Sequence, residues 1–208
     1  TTSALLHWGE VQDPEFLQIN GVEVTYAQGH WNIFGLDPHA WIDFRIHHND
    51  TLRYRKAVAK ARKAGRLLVA NHPYNLDFLY DVTPMDGIEV WNSAWSPANE
   101  RAVELWHTLL VGGNRKFAGA STDFHRGGNI ASPHTVVRAE ALSAEAVIDA
   151  IAAGRSYVAR DTSVEIGMQV RNSATPVQHA DIGDTLLRSG GMQAEFRSNT
   201  AGRLRMTD

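Results

Sequence analysis

The sequence predicts an α/β domain with parallel strands followed by the start of a β-rich extension, and three observations carry that expectation. Short apolar runs alternate with helical patterns along most of the chain, the arrangement of a strand–helix–strand fold. Polar residues recur at the ends of successive runs, at Glu23, His72, Asn92 and Asp123. After Tyr157 no helical pattern returns, while strand-like runs continue between Asn, Gly and Asp turns. These observations place one domain over residues 1–157 and an extension over residues 158–208.

The elements follow in order. Residues 16–26, FLQINGVEVTY, are rich in β-branched and aromatic side chains and read as one strand, interrupted by Gly21 and carrying Glu23 near its end. A second strand is expected over 31–36, then a mixed, loop-like stretch over 37–50. Residues 52–64 read as a helix, with Asp50 or Thr51 as N-cap and Gly65 just past the end. Its basic residues, among them Arg53, Lys56, Lys60 and Lys63, read as a solvated face rather than a phosphate-attracting stripe. Residues 67–70 form an apolar strand broken by Asn71, His72 and Pro73, and GIEVWN over 87–92 repeats that plan. Ser96 and Pro97 open a helix to about residue 111, closed by Gly112 and Gly113. A strand over 117–121 leads into Thr122-Asp123-Phe124-His125, another covers 134–137, and Ser143 caps a helix ending before Gly154. In the extension, SVEIGMQV and MQAEFRS have strand character.

Composition narrows the chemistry. The 208 residues suffice for one full domain, or one domain and part of a second. A net charge of −3 argues against a nucleic-acid partner held by a general basic surface. No apolar run is long enough to cross a bilayer, and the first residues lack the basic start and apolar core of a signal peptide. The cysteine count is zero, which removes disulfides, thiolate zinc sites and cysteine nucleophiles together. Ten histidines remain. Metal chemistry here must use imidazole and carboxylate ligands, which suit zinc, iron or manganese. No G-x-S-x-G elbow is present, which disfavours a serine nucleophile.

The candidate ligands are ambiguous one at a time. Asp123 and His125 stand two apart, and on extended backbone such positions point the same way. Alone the pair reads more readily as a turn aspartate and a surface histidine than as two ligands. His72 precedes Pro73, which pushes the preceding residue towards extended backbone, and is expected to project from a strand end. Glu23 on an apolar strand requires a cation or metal if it faces inward, because an unpaired buried carboxylate is costly. His30 stands at a strand start beside Trp31. Imidazoles and carboxylates at successive strand ends, without cysteine, are together what a multinuclear hydrolytic site requires.

In this order the segments GVEVTYAQGHWNIFG, LLVANHPY, GIEVWN, GASTDFH and SPHTVVRAEALS with its following helix resemble successive blocks of the polymerase and histidinol phosphatase (PHP) superfamily. Within it they are similar to the carbaryl-hydrolase-like branch, over roughly residues 14–160. The resemblance implies a distorted seven-stranded β/α barrel, here partial, holding two or three divalent metal ions (zinc, manganese or iron) at the strand C-terminal ends. By position, Glu23 resembles a carboxylate bridging two metals, and His30 and His72 the histidines completing the second. Asp123 resembles an aspartate on the first metal, and His125 a histidine on the third. The family's opening H-x-H pair and T-D-H block have no counterpart, so the resemblance implies the C-terminal portion of such a domain, with partial metal loading.

The implied activity is metal-dependent hydrolysis of a small-molecule phosphoester by a metal-bridged hydroxide, with no protein nucleophile. A carbamate or carboxylic ester is the alternative substrate, and a truncated module that binds without catalysis is the alternative role. Asn32, Tyr74, Asn92 and Arg126 are the expected substrate-binding residues, with turn chemistry the competing reading for Asn71, Asn92 and the segment around Arg126. Trp31, Trp41, Trp91 and Trp95 read as core or as an aromatic lining.

Overall fold

The structure, a computed structural model, describes residues 16–206 apart from Pro38, Phe44, His48, residues 75–79, Arg126, Gly128 and Asn129. Its centre is a five-stranded sheet in the order β1 (Gly21–Tyr26), β2 (Gly29–Phe34), β3 (Leu67–Asn71), β4 (Gly87–Asn92) and β5 (Phe117–Ser121). Strands β3, β4 and β5 run parallel, as the alternating pattern predicts. The first two do not: β1 and β2 form a tight antiparallel hairpin, and β2 pairs antiparallel with β3. Tyr26 pairs with Gly29, so only Ala27 and Gln28 connect the strands, and Gly29 takes the positive φ of 144°. The long run over 16–26 supplies a strand only from Gly21 onward. At that position a side chain would meet the carbonyl oxygen of Ile33 at 2.7 Å. Among the described residues the sheet is open, with β1 and β5 at its edges, and no seven-stranded closed barrel forms.

Alternation along the strands gives the sheet two faces. On one, Val24, Tyr26, Trp31, Ile33, Leu68 and Ala70 pack against Tyr54, Ala57, Val58 and Ala61 of helix α1 (Thr51–Ala64). Trp31, Ile33 and Leu68 are fully buried there, each side chain contributing roughly 1.5–3 kcal/mol. Tyr54 stacks on Tyr80 at 4.5 Å and donates to the carbonyl of Asp81 at 2.7 Å. On the other face Phe34, Leu67, Val69 and Phe117 meet Ile19 and, from helix α3 (Ala144–Ala152), Ile148 and Ile151. Helix α2 (Pro97–Val111) lies beside β4.

The helix ends follow their capping chemistry. Asp50 accepts from the Arg53 N–H at 2.9 Å and Ser143 from the Ala146 N–H at 3.2 Å, each satisfying an amide the helix cannot. Ser96 makes no such bond, and Pro97 in the first turn supplies the start of α2 instead.

Strands β6 (His134–Val137) and β7 (Ser156–Ala159) pair antiparallel beside β5. The Ala120 N–H donates to Oγ1 of Thr135 at 2.8 Å across that contact. Strand β7 follows the Gly154 turn and has too few residues to announce itself by alternation. Further on, β8 (Ile166–Asn172), β9 (His179–Asp181) and β10 (Met192–Ser198) form a separate antiparallel sheet in the order β10-β8-β9, with every residue of β10 exposed. No helix among the described residues is long and apolar enough to cross a membrane.

Candidate metal centre

The second face of the sheet changes character along the strands. Phe34, Leu67, Val69 and Phe117 make an apolar floor, and towards the other end Asn32, Asn71 and Glu89 line the same cleft, of about 210 Å³. Strand register produces this order. Glu23 pairs with Asn32, Thr25 with His30, and His30 with Asn71, so these residues share one face across three strands.

At the polar end Glu23, His30 and His72 converge. Their donor atoms all lie within 4.8 Å of one another. Nδ1 of His30 is 3.1 Å from Oε1 of Glu23, and Nε2 of His72 is 3.7 Å from the same oxygen. The two imidazoles meet edge to face with centroids 5.0 Å apart. Asn71 Nδ2 donates to Glu23 Oε1 at 3.1 Å and fixes the carboxylate from β3, across β2.

The electrostatics follow from these contacts. The adjacent His72 imidazole, aided by the Asn71 amide and the field of His30 and opposed by partial burial, holds the Glu23 carboxyl at about 2, below its ordinary 4.5. Burial lowers His30 below 6.5 despite the nearby carboxylate. For His72 burial also pulls downward, but Glu23, Glu89 and Asp123 outweigh it and the net shift is upward.

This donor set fits a divalent cation. Two imidazoles and a carboxylate are the hard-to-borderline ligands that zinc, iron and manganese take. His72 is 7% exposed, and its Nδ1 is buried without a hydrogen-bond partner among the described residues. A histidine so placed has a ring nitrogen that protein donors and acceptors leave unused.

The other predicted site residues take different places. Asp123 and His125 lie outside that cluster and pair with one another: His125 Nδ1 is 2.7 Å from the Asp123 carbonyl and 3.5 Å from Oδ1. Asp123 has φ 49°, so the backbone there is left-handed rather than extended, and the His125 side chain is 78% exposed. Extended backbone is also corrected at His72, whose φ is 27° despite the following proline. Asn32 lines the cleft. Tyr74 lies under the Arg101 guanidinium at 4.6 Å. Asn92 is buried and donates to Oε2 of Glu89 at 3.3 Å, while its N–H donates to Oδ1 of Asn99. Arg126 lies outside the described residues. Trp31 is core, Trp41 is exposed beside Arg45 and Lys60, and Trp91 and Trp95 meet edge to face at 4.8 Å.

One functional candidate was missed in the sequence. Glu89, inside GIEVWN, is 6% exposed and faces the cleft. Its oxygens accept from the His72 N–H at 2.7 Å, from Asn92 and from the Ser121 hydroxyl. Burial pushes its carboxyl upward, against the pull of these donors. Glu89, like Glu23, is a carboxylate within an apolar strand, and that signal was already present in the sequence.

No family model matches the chain, and no curated protein matches it. Among solved structures, it is similar to a two-domain protein containing a predicted PHP-like metal-dependent phosphoesterase from Bacteroides vulgatus ATCC 8482. The identity is 18% and the TM-score 0.48, over 86% of this chain and 65% of that one. The chain thus spans just under two thirds of that protein's length.

Proposed function

We propose that this protein is a metal-dependent hydrolase acting on a small-molecule phosphoester, with Glu23, His30 and His72 holding a divalent cation. The observation that carries the reading is the convergence of these three side chains, from β1, β2 and the residue just past β3, with all donor atoms within 4.8 Å. Such a cation, when bound, lowers the pKa of coordinated water and stabilises negative charge developing on the substrate. The protein's own part is preorganisation. Glu23 stays ionised through most of the pH range, because its carboxyl is held at about 2. Asn71 fixes the orientation of that carboxylate, and the neutral imidazoles of His30 and His72 supply the nitrogen ligands. Asp123 and His125 belong to further ion positions in this reading, with Asn32 lining the substrate side. Zinc, manganese and iron are the ions to try first.

The apolar floor of the adjoining cleft favours a second reading, in which the substrate is an uncharged carboxylic or carbamate ester. Phe34, Leu67, Val69 and Phe117 offer an organic group a surface and offer a phosphate dianion nothing.

The test is metal content after loading with zinc, manganese or iron, followed by turnover of p-nitrophenyl phosphate and a p-nitrophenyl carboxylic ester. Stoichiometric metal with phosphate release supports the first reading, and ester cleavage alone supports the second. Metal uptake with neither activity indicates a binding module, and no metal uptake overturns the proposal.

A further inference from the structure

We infer that Glu89 is a positioning residue whose buried carboxylate fixes the backbone turn that brings the His72 imidazole onto the Glu23–His30 face. The inference rests on the metal-centre reading and concerns how that centre is held together.

Strand alternation creates the problem that Glu89 solves. Leu67, Val69 and Asn71 of β3 line the cleft, whereas Leu68 and Ala70 point into the core under α1. Continued alternation would send His72 the same way as Leu68 and Ala70, away from Glu23. Instead its Nε2 lies 3.7 Å from the Glu23 carboxylate and its ring 5.0 Å from that of His30. The change of direction occurs at His72 itself, where φ is 27°.

Left-handed backbone at a non-glycine residue costs on the order of 1–3 kcal/mol and persists only when neighbouring groups hold it. Pro73 adds to the restriction, because a residue before proline is drawn to extended backbone. The holding group is Glu89. Its Oε2 accepts the His72 N–H at 2.7 Å, the short range of a charge-assisted bond.

The surroundings of Glu89 are arranged for that task. The side chain is buried, and its partners are neutral donors: the His72 N–H, Nδ2 of Asn92 and the Ser121 hydroxyl. Three donors from β4, β5 and the end of β3 therefore converge on one carboxylate. An apolar residue on β4 would bury as well and cost less. What the carboxylate adds is a fixed acceptor under the strained amide of a ligand histidine.

The experiment uses the full 208-residue chain and two variants, Glu89→Ala, which has no acceptor, and Glu89→Gln, which keeps a neutral one. In metal-free protein the His72 amide proton is expected far downfield. It should move upfield in Glu89→Gln and further in Glu89→Ala. In a Co²⁺ titration Glu89→Ala is expected to bind roughly 10–100-fold more weakly, with an altered visible spectrum, and Glu89→Gln to recover most of that loss.

The inference is overturned if folded Glu89→Ala binds Co²⁺ within about twofold of the parent and with the parent spectrum. Should Glu89→Ala fail to fold, an unmoved His72 amide in Glu89→Gln overturns it. A parent chain that takes up no Co²⁺ defeats the metal-centre reading, while the amide shift still reports on the Glu89 contact.

Discussion

Nδ1 of His30 lies 3.1 Å from Oε1 of Glu23, although the two residues are not paired across the hairpin. Glu23 faces Asn32 and His30 faces Thr25, so the contact is diagonal on one face of β1 and β2. It places a carboxylate and an imidazole together, and His72, just past β3, joins them. Replacing Glu23 with Gln keeps the shape and removes the charge. Zinc affinity is expected to fall by more than the roughly 10–100-fold typical of a lost outer-shell partner, with an unchanged far-UV circular dichroism spectrum. Isothermal titration with zinc measures it, and unaltered affinity would show that Glu23 is not a ligand.

His72→Ala should abolish binding at the Glu23–His30–His72 position while leaving the fold intact. The side chain sits at a strand end rather than in the main core, and its removal frees Glu23 from one imidazole contact. Metal content by atomic emission, alongside a thermal melt, separates ligand loss from unfolding. Metal content equal to the parent's would reject the assignment.

The pH dependence of the metal-free protein follows from opposed shifts. Glu23 is held at about 2 against an ordinary 4.5, so its stabilisation is complete above 4.5 and is lost as pH falls through about 2. His72 is raised above 6.5, so its contribution is complete below 6.5 and is lost as pH rises through the folded value. Both act together between these limits. The melting-temperature difference between parent and Glu23→Gln should be largest in that window and shrink on either side. A difference that grows towards alkaline pH would contradict the pairing.

Metal uptake should show the complementary dependence. Ligation requires neutral imidazoles, and His72 holds its proton to higher pH than His30, whose value is lowered by burial. Zinc affinity is therefore expected to rise with pH until His72 is deprotonated. The imidazole proton resonances of His72 and His30 in the metal-free chain should titrate above 6.5 and below it respectively. Two coincident midpoints would count against the geometry.

Capping gives a test of the fold independent of the site. Asp50→Ala and Ser143→Ala each remove an observed side-chain cap and should cost about 1 kcal/mol. Ser96→Ala removes no cap bond and should leave the melting temperature nearly unchanged. Gly87→Ala is expected to cost about 1–3 kcal/mol, because its new methyl group would overpack the Phe117 ring. Urea denaturation distinguishes these outcomes.

Much of the architecture was legible in the chain because local rules dominate there. Serine and proline at 96–97, Ser143, and Asp50 mark helix starts through chemistry that acts within a few residues; the apolar runs at 67–70 and 87–92 are strands buried on both faces, and 117–121 is a strand with one face buried and the other partly covered. The sequence also singled out Glu23, His30 and His72 as candidate ligands, although Glu23 lies in the middle of β1 rather than near a strand end. It did not determine strand direction in the hairpin, since alternation is the same for parallel and antiparallel pairing. Nor did it reveal that Asp123 and His125 turn towards each other, or that His72 leaves extended backbone, because both depend on a left-handed φ. Glu89 was hidden for a related reason: its role is defined by an amide, a hydroxyl and a side-chain amide contributed by three segments. The sequence by itself determined which residues were available as ligands and which segments would bury. Only the tertiary structure decided which of those candidates meet, because the meeting depends on strand register and on one left-handed dihedral at His72.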